Sequence, residues 1–279
     1  MLHRLFILLT LCFVFACSSS RLLSKVRHYP FLYYFNEYQE ADTLFFRLKN
    51  PVACPLRVQL NSRMDMPELV EQFGQLTLRA NQDTLLKIQV EENLDLSRIK
   101  YVTHYGDPTR EVSDLPFSLP FSRGKSYKVI QGYQGKFSHN TPTSQFAIDF
   151  DLQIGDTVTA AADGFVVGLI QDYKGYGTSK KWRETDQSNF LTLYHPESGR
   201  FTQYVHLMHK GSLVKLGDHV KRGQAIGRVG MTGFTTTPHL HFNVKVPTEN
   251  QGFISVKANF ENGLHGDELK KNQRVSHMK

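Results

Sequence analysis

Cysteine is almost missing from this 279-residue chain, and the shortage excludes two kinds of framework. There are 3 cysteines, and Cys12 and Cys17 fall in or beside an apolar leader, so only Cys54 is left for the body. One thiol cannot close an internal bridge. Nor can a metal site be built from four cysteines, or from two cysteines with two histidines; a metal would have to rest on histidine and carboxylate. Long apolar runs are missing as well. The run at residues 5–16 is too short for a relaxed transmembrane helix, which needs about 20 residues. Segments with helical periodicity are few, and no tandem repeat or low-complexity stretch is visible. The formal net charge of +7 is spread along the chain and accompanies no nucleic-acid motif. It implies attraction to anionic partners in general, and no nucleic acid is expected among them.

What is present begins with the leader. Arg4 precedes the apolar run, which ends in Val14-Phe15-Ala16-Cys17-Ser18-Ser19-Ser20. A basic start, a short apolar core and a small residue at the end describe a secretory signal over residues 1–16. Cys17 after Ala16, followed by serines, resembles a lipoprotein processing site, although Phe15 stands where that site usually has a small residue. Cys17 is then the lipidated first residue, and the chain is expected to be exported and anchored in the cell envelope. The plainer alternative is a signal peptide cut near the same place.

The body reads as all-β. From about residue 31 to 104, short runs alternate apolar and polar, as in Leu56-Arg57-Val58-Gln59-Leu60 and Leu86-Lys87-Ile88-Gln89-Val90. Period-two alternation between turn residues marks half-buried antiparallel strands. A small N-terminal β-sandwich is therefore expected over residues 24–112, with no cluster of catalytic residue types and the role of a spacer or docking module. Residues 105–122, with Pro108, Pro116 and Pro120, read as a linker. A second strand-rich domain is expected over residues 113–260, punctuated by glycines, with a polar surface loop at 174–188 and a C-terminal tail at 261–279.

Residues that carry chemistry gather in this second domain. His239 and His241 lie two apart on an expected strand, so both side chains leave the same face. Asp149 and Asp151 share one face of the largely apolar run Phe146-Ala147-Ile148-Asp149-Phe150-Asp151. A carboxylate there is costly unless it is paired or metal-bound. His206 sits in a further apolar run, Tyr204-Val205-His206-Leu207. His28, His104, His195, His209, His219, His265 and His277 lack a matched partner and read as surface or structural.

Several segments together resemble the lysostaphin/LytM-type family of zinc metalloendopeptidases. They are Ala147-Ile148-Asp149-Phe150, Ala160-Ala161-Ala162-Asp163-Gly164, Tyr204-Val205-His206-Leu207, the glycine-bracketed hairpin at 217–227, Gly230-Met231-Thr232-Gly233 and Pro238-His239-Leu240-His241-Phe242. The resemblance covers about residues 119–246. It implies a β-sheet peptidase domain, one Zn2+ per chain, peptidoglycan peptides as substrate, Asp149 and His241 as metal ligands, and His206 and His239 as the catalytic pair. The family's common form has histidine four residues before the aspartate, where this chain has Gln145. Either His139, at the longer spacing of another branch of the family, completes the ligand set, or the domain is a catalytically inert relative that binds the wall or activates another hydrolase. Tyr133 precedes His139 at a spacing that resembles an oxyanion-stabilising tyrosine of the family. The hairpin at 217–227 also resembles a biotinyl or lipoyl carrier, but no lysine motif at a hairpin tip accompanies it.

Overall fold

The computed structural model describes residues 34–91, 93–185, 187–249 and 252–277. The leader and Cys17 lie outside the described residues. The N-terminal unit holds β1 (Tyr34–Glu40), β2 (Thr43–Lys49), β3 (Leu56–Leu60), α1 (Pro67–Phe73), β4 (Gln75–Leu78), β5 (Asp83–Gln89) and β6 (Tyr101–Tyr105). They form two antiparallel sheets, ordered β1-β2-β5 and β4-β3-β6. In β2, Leu44, Phe46 and Leu48 are buried and alternate with less buried residues, as a sheet with one wet face requires. These side chains share one core with Leu56, Val58 and Leu60 of β3, which makes the pair of sheets a sandwich. The alternation does not announce α1. Its signal lies in Pro67 at the first turn, Gly74 at the end and the buried pair Leu69 and Phe73 four residues apart.

The second unit continues with β7 (Ser126–Gln131), β8 (Ile148–Phe150), β9 (Thr157–Thr159), β10 (Gly164–Ile170), β11 (Tyr176–Gly177), α2 (Lys180–Thr185), β12 (Phe190–His195), β13 (Arg200–Val205) and β14 (Leu207–Ser212). It ends with β15 (His219–Val220), β16 (Ala225–Val229), β17 (Gly233–Phe234), β18 (Leu240–Thr248), β19 (Gly252–Val256) and β20 (Arg274–Ser276). Its main sheet runs β15-β10-β12-β13-β18-β8-β7-β20, with β19 also on β18. Every pairing within it is antiparallel. A smaller sheet, β14-β16-β9, joins the same core. The backbone breaks between β9 and β10, at His206 between β13 and β14, and at Gly223 between β15 and β16, where φ is +78°.

Three expectations about connecting segments need correction. Residues 105–122 are no loose linker, because Tyr105, Leu115, Phe117, Leu119 and Phe121 are buried. Nor do the described residues 261–277 of the expected tail hang free. β20 pairs with β7, and Leu269 and Val275 are buried, so the segment covers a sheet edge that would otherwise be open. Residues 174–188 are not simply a polar loop. β11 pairs in parallel with β17, and Trp182 of α2 lies over Gly175.

His195, on β12, is buried and held at both ring nitrogens. Nδ1 lies 2.7 Å from the Asp163 carbonyl and Nε2 2.8 Å from Thr202 Oγ1. A carbonyl can only accept, so Nδ1 carries a proton. Burial pushes the pKa of His195 down to about 4. The unfolded chain protonates this residue near pH 6.5 and the folded chain does not until near 4, so stability falls as pH is lowered across that window. Denaturant unfolding between pH 7.5 and 4.5 should show the wild type losing about 2–3 kcal/mol more than His195→Gln. Parallel losses would remove His195 as the acid-sensitive group.

Candidate metal centre

The centre is built on sheet register. β8 pairs with β18 so that Asp149 stands directly opposite His241, and β13 pairs with β18 so that Val205 stands opposite His241 on the other side. Residues far apart in sequence thus meet as cross-strand neighbours. Asp149 Oδ1 is 2.9 Å from His241 Nδ1. His139 arrives from the connection between β7 and β8. Its Nε2 lies 3.2 Å from Asp149 Oδ1 and 3.2 Å from His241 Nδ1. His139, Asp149 and His241 form the group of His, Cys, Asp and Glu side chains able to share an ion among the described residues. Gln145 takes part through its backbone: its N–H donates to Thr141 and its carbonyl accepts from Gln134.

The three atoms fit a metal ion. Tetrahedral coordination at about 2.0–2.1 Å separates ligand atoms by about 3.3 Å, close to the separations of 2.9, 3.2 and 3.2 Å. Two imidazoles and one carboxylate suit a divalent transition metal. The surroundings fix each donor. His139 Nδ1 donates to the Gly132 carbonyl at 2.9 Å, which leaves Nε2 as the lone-pair atom. Gln131 Nε2 donates to Asp149 Oδ2 at 3.1 Å and to Ser138 Oγ at 2.8 Å, so Oδ1 alone faces the histidines. Burial alone would raise the pKa of Asp149. The neighbouring His239 and His139, with hydrogen bonds from His139 and His241, reverse that and hold it well below the usual carboxylate range. Burial opposes charge on His139, but Asp149 carries its pKa above the ordinary value. His241 is pushed down by burial, with Asp149 in partial opposition.

His206 and His239 flank the trio. Their ring centroids are 4.5 Å apart, and His239 Nε2 is 3.7 Å from Asp149 Oδ1. Each is oriented by a carbonyl on Nδ1: Thr232 at 2.7 Å for His206 and Thr237 at 2.9 Å for His239, where Thr235 Oγ1 adds a contact at 3.2 Å. Both Nε2 atoms are thereby left as acceptors. Burial, reinforced by His239 and His241, holds the pKa of His206 well below its ordinary value. The backbone at His206 is left-handed, with φ +66°, which breaks β13 from β14 at this residue. That is a sparsely populated conformation for a residue other than glycine. Gly230 packs close by, and a Cβ there would fall 2.5 Å from the Met208 backbone nitrogen. That contact gives the Gly230-Met231-Thr232-Gly233 segment a packing reason.

Tyr133 is not brought to the cluster, contrary to expectation. Its hydroxyl accepts the Ala258 N–H at 2.8 Å and lies against Gly266, and burial pushes its pKa up to about 12. Gln131, two residues earlier on β7, is the side chain that reaches Asp149. Gln131 had no signal in sequence, since an amide on a strand end carries none. Asn243 and Ser255 were equally silent. Asn243 Nδ2 donates to the Thr143 carbonyl at 2.9 Å and its Oδ1 accepts from Ser255 Oγ at 2.7 Å, while Ser255 Oγ accepts the Phe146 N–H at 3.0 Å. These two buried side chains pin the connection between His139 and Asp149 to β18 and β19.

Comparison with known proteins matches residues 143–254 to Peptidase family M23. His139 lies just before the matched residues. An uncharacterized metalloprotease of Buchnera aphidicola subsp. Baizongia pistaciae (strain Bp) is 30% identical over 171 residues, which are 56% of this chain and 41% of that protein. The peptidoglycan DD-endopeptidase ShyB of Vibrio cholerae is 35% identical over 158 residues, 55% of this chain and 32% of the relative. The solved catalytic domain of the antimicrobial peptidase lysostaphin from Staphylococcus simulans is 28% identical, covers 47% of this chain and 87% of that one, and superposes with a TM-score of 0.33. The chain spans less than half the length of the curated relatives it matches first.

Two outcomes are expected. His139→Ala should cut bound metal, measured by elemental analysis, by tenfold or more, while Gln145→Ala leaves it unchanged; the reverse pattern would move the ligand to Gln145. Asn243→Ala, which removes no ligand atom, should weaken metal affinity about 10–100-fold in a chelator titration. An unchanged affinity would leave Asn243 with a packing role only.

Proposed function

We propose, from the premise that residues 143–254 are a domain of peptidase family M23, that this chain is a zinc-dependent endopeptidase acting on the peptide cross-links of bacterial peptidoglycan. One observation carries it: a carboxylate and two imidazoles at ligand spacing, with two further carbonyl-anchored imidazoles at their side. His139 through Nε2, His241 through Nδ1 and Asp149 through Oδ1 would hold the ion. Zinc, when bound, polarises a carbonyl and lowers the pKa of water toward about 7.

The rest of the chemistry falls to this chain's own side chains. Nε2 of His239 and of His206, each with its proton fixed on Nδ1, can accept a proton from the attacking water and return it to the departing amine nitrogen. Gln131 holds the Asp149 carboxylate in one orientation through the step. The scissile peptide would lie in a groove of about 790 Å³ that contains His206 and His241 in its lining. The match to Peptidase family M23 supports a peptidase, and the name of the Vibrio cholerae relative supports a peptidoglycan substrate. The apolar run at residues 5–16, with Cys17 after Ala16, supports export and a lipid anchor on Cys17 in the cell envelope.

Purified peptidoglycan should yield peptide fragments whose masses correspond to a hydrolysed cross-link. His239→Ala should slow digestion by about 10²–10⁴-fold and leave the metal bound. Full digestion by that variant would remove His239 from proton transfer, and no digestion by the wild type would leave a binding domain.

A further inference from the structure

The groove does not run off into solvent at both ends. Its floor is one face of the main sheet, and the register shows where it stops. Along β18, His241, Asn243 and Lys245 are opposite Val205, Gln203 and Phe201 of β13, so these rows share a face. At the metal end the face lines the groove through Val205, His206 and His241. Four residues along, at Phe201, it is covered by the N-terminal sandwich. The Phe201 ring stacks parallel to Tyr105 at 6.5 Å, and Val167, Tyr194 and Phe201 belong to the sandwich core, not to the core of their own sheet. The groove's far end is accordingly lined by Leu56, Thr103 and His104.

This wall is fixed to the sheet. Tyr105 Oη donates to the Val167 carbonyl at 2.6 Å. The guanidinium of Arg57, 1% exposed, donates to the Gly106 carbonyl at 3.1 Å and to the Glu249 carbonyl at 2.9 Å. Gly106, at φ +81°, packs so closely that a Cβ would fall 2.8 Å from Pro247. Buried apolar contacts and a buried cation, bonded through Nε and Nη1, hold the two units in one arrangement.

We propose that the N-terminal sandwich is the end wall of the substrate groove and limits the substrate to about four residues on one side of the scissile bond. This rests on the reading that the groove holds a peptide. From His241 to Lys245 is four residues of strand, about 13 Å at about 3.3 Å per residue, and an extended peptide has the same rise. A fifth residue on that side meets Leu56, Thr103 and His104. The substrate class is therefore a short peptide branch, ending within about four residues of the cut, and not a site with long chain on both sides.

The test uses the full chain with metal and two series of synthetic peptides, each lengthened from one to eight residues on one side of the cleaved bond. In one series kcat/KM should fall tenfold or more beyond about four residues; in the other it should stay level. The double variant Thr103→Ala, His104→Ala should move the fall to a longer peptide. Level rates in both series, or a fall that the double variant does not move, overturn the wall. No cleavage of even the shortest peptides overturns the endopeptidase reading and this inference with it.

Discussion

A carboxylate buried in a β-strand is the constraint that the second unit is arranged around. Asp149, with Ile148 and Phe150 on either side in the core, has almost no access to water. An isolated charge in that position would cost several kcal/mol. The sheet meets the cost by register, setting His241 opposite and at 2.9 Å. Everything else at the centre extends that pairing. Gln131 takes the second carboxylate oxygen, His139 adds a second imidazole, and the Gly132 carbonyl fixes which nitrogen His139 presents.

The same logic of oriented imidazoles covers the flanking pair. A histidine presents Nε2 reliably only when something holds Nδ1, and here backbone carbonyls do so at Thr232 and Thr237. Both carbonyls belong to the segment before β18. The left-handed turn at His206 brings its ring to the same place from β13. A strained backbone, a glycine at 230 without room for a side chain and two threonine carbonyls thus act as one support, although none of them touches a ligand atom.

The sandwich takes part in the same sheet. Its core borrows Val167, Tyr194 and Phe201 from the face that carries the metal cluster. One continuous face therefore carries the His/Asp cluster at one end and is buried at the other. The reading of residues 24–112 as a spacer treats the two units as independent. That is the natural assumption from sequence, because alternation shows which side of a strand is apolar and not what covers it.

Much was legible beforehand. Alternation and glycine spacing point to strands in both units, and the motif residues Asp149, His206, His239 and His241 were singled out from their neighbours. The helix at 67–73 and the strand at 274–276 were missed, since each is short and owes its existence to packing against another segment. Tyr133 was misplaced, because spacing along the chain does not say which side of a turn a ring will take. Gln131, Asn243 and Ser255 carry no local signal, because the contacts that matter, with Asp149, Thr143 and Phe146, are 18 or more residues away. The sequence by itself determined the donor types, the scarcity of thiols that restricts a metal to histidine and carboxylate, and the all-β character. Only the tertiary structure decided that His139 and not Gln145 stands beside Asp149, and that the sandwich closes the groove. Both depend on strand register and loop anchoring, which are set by contacts distant in sequence.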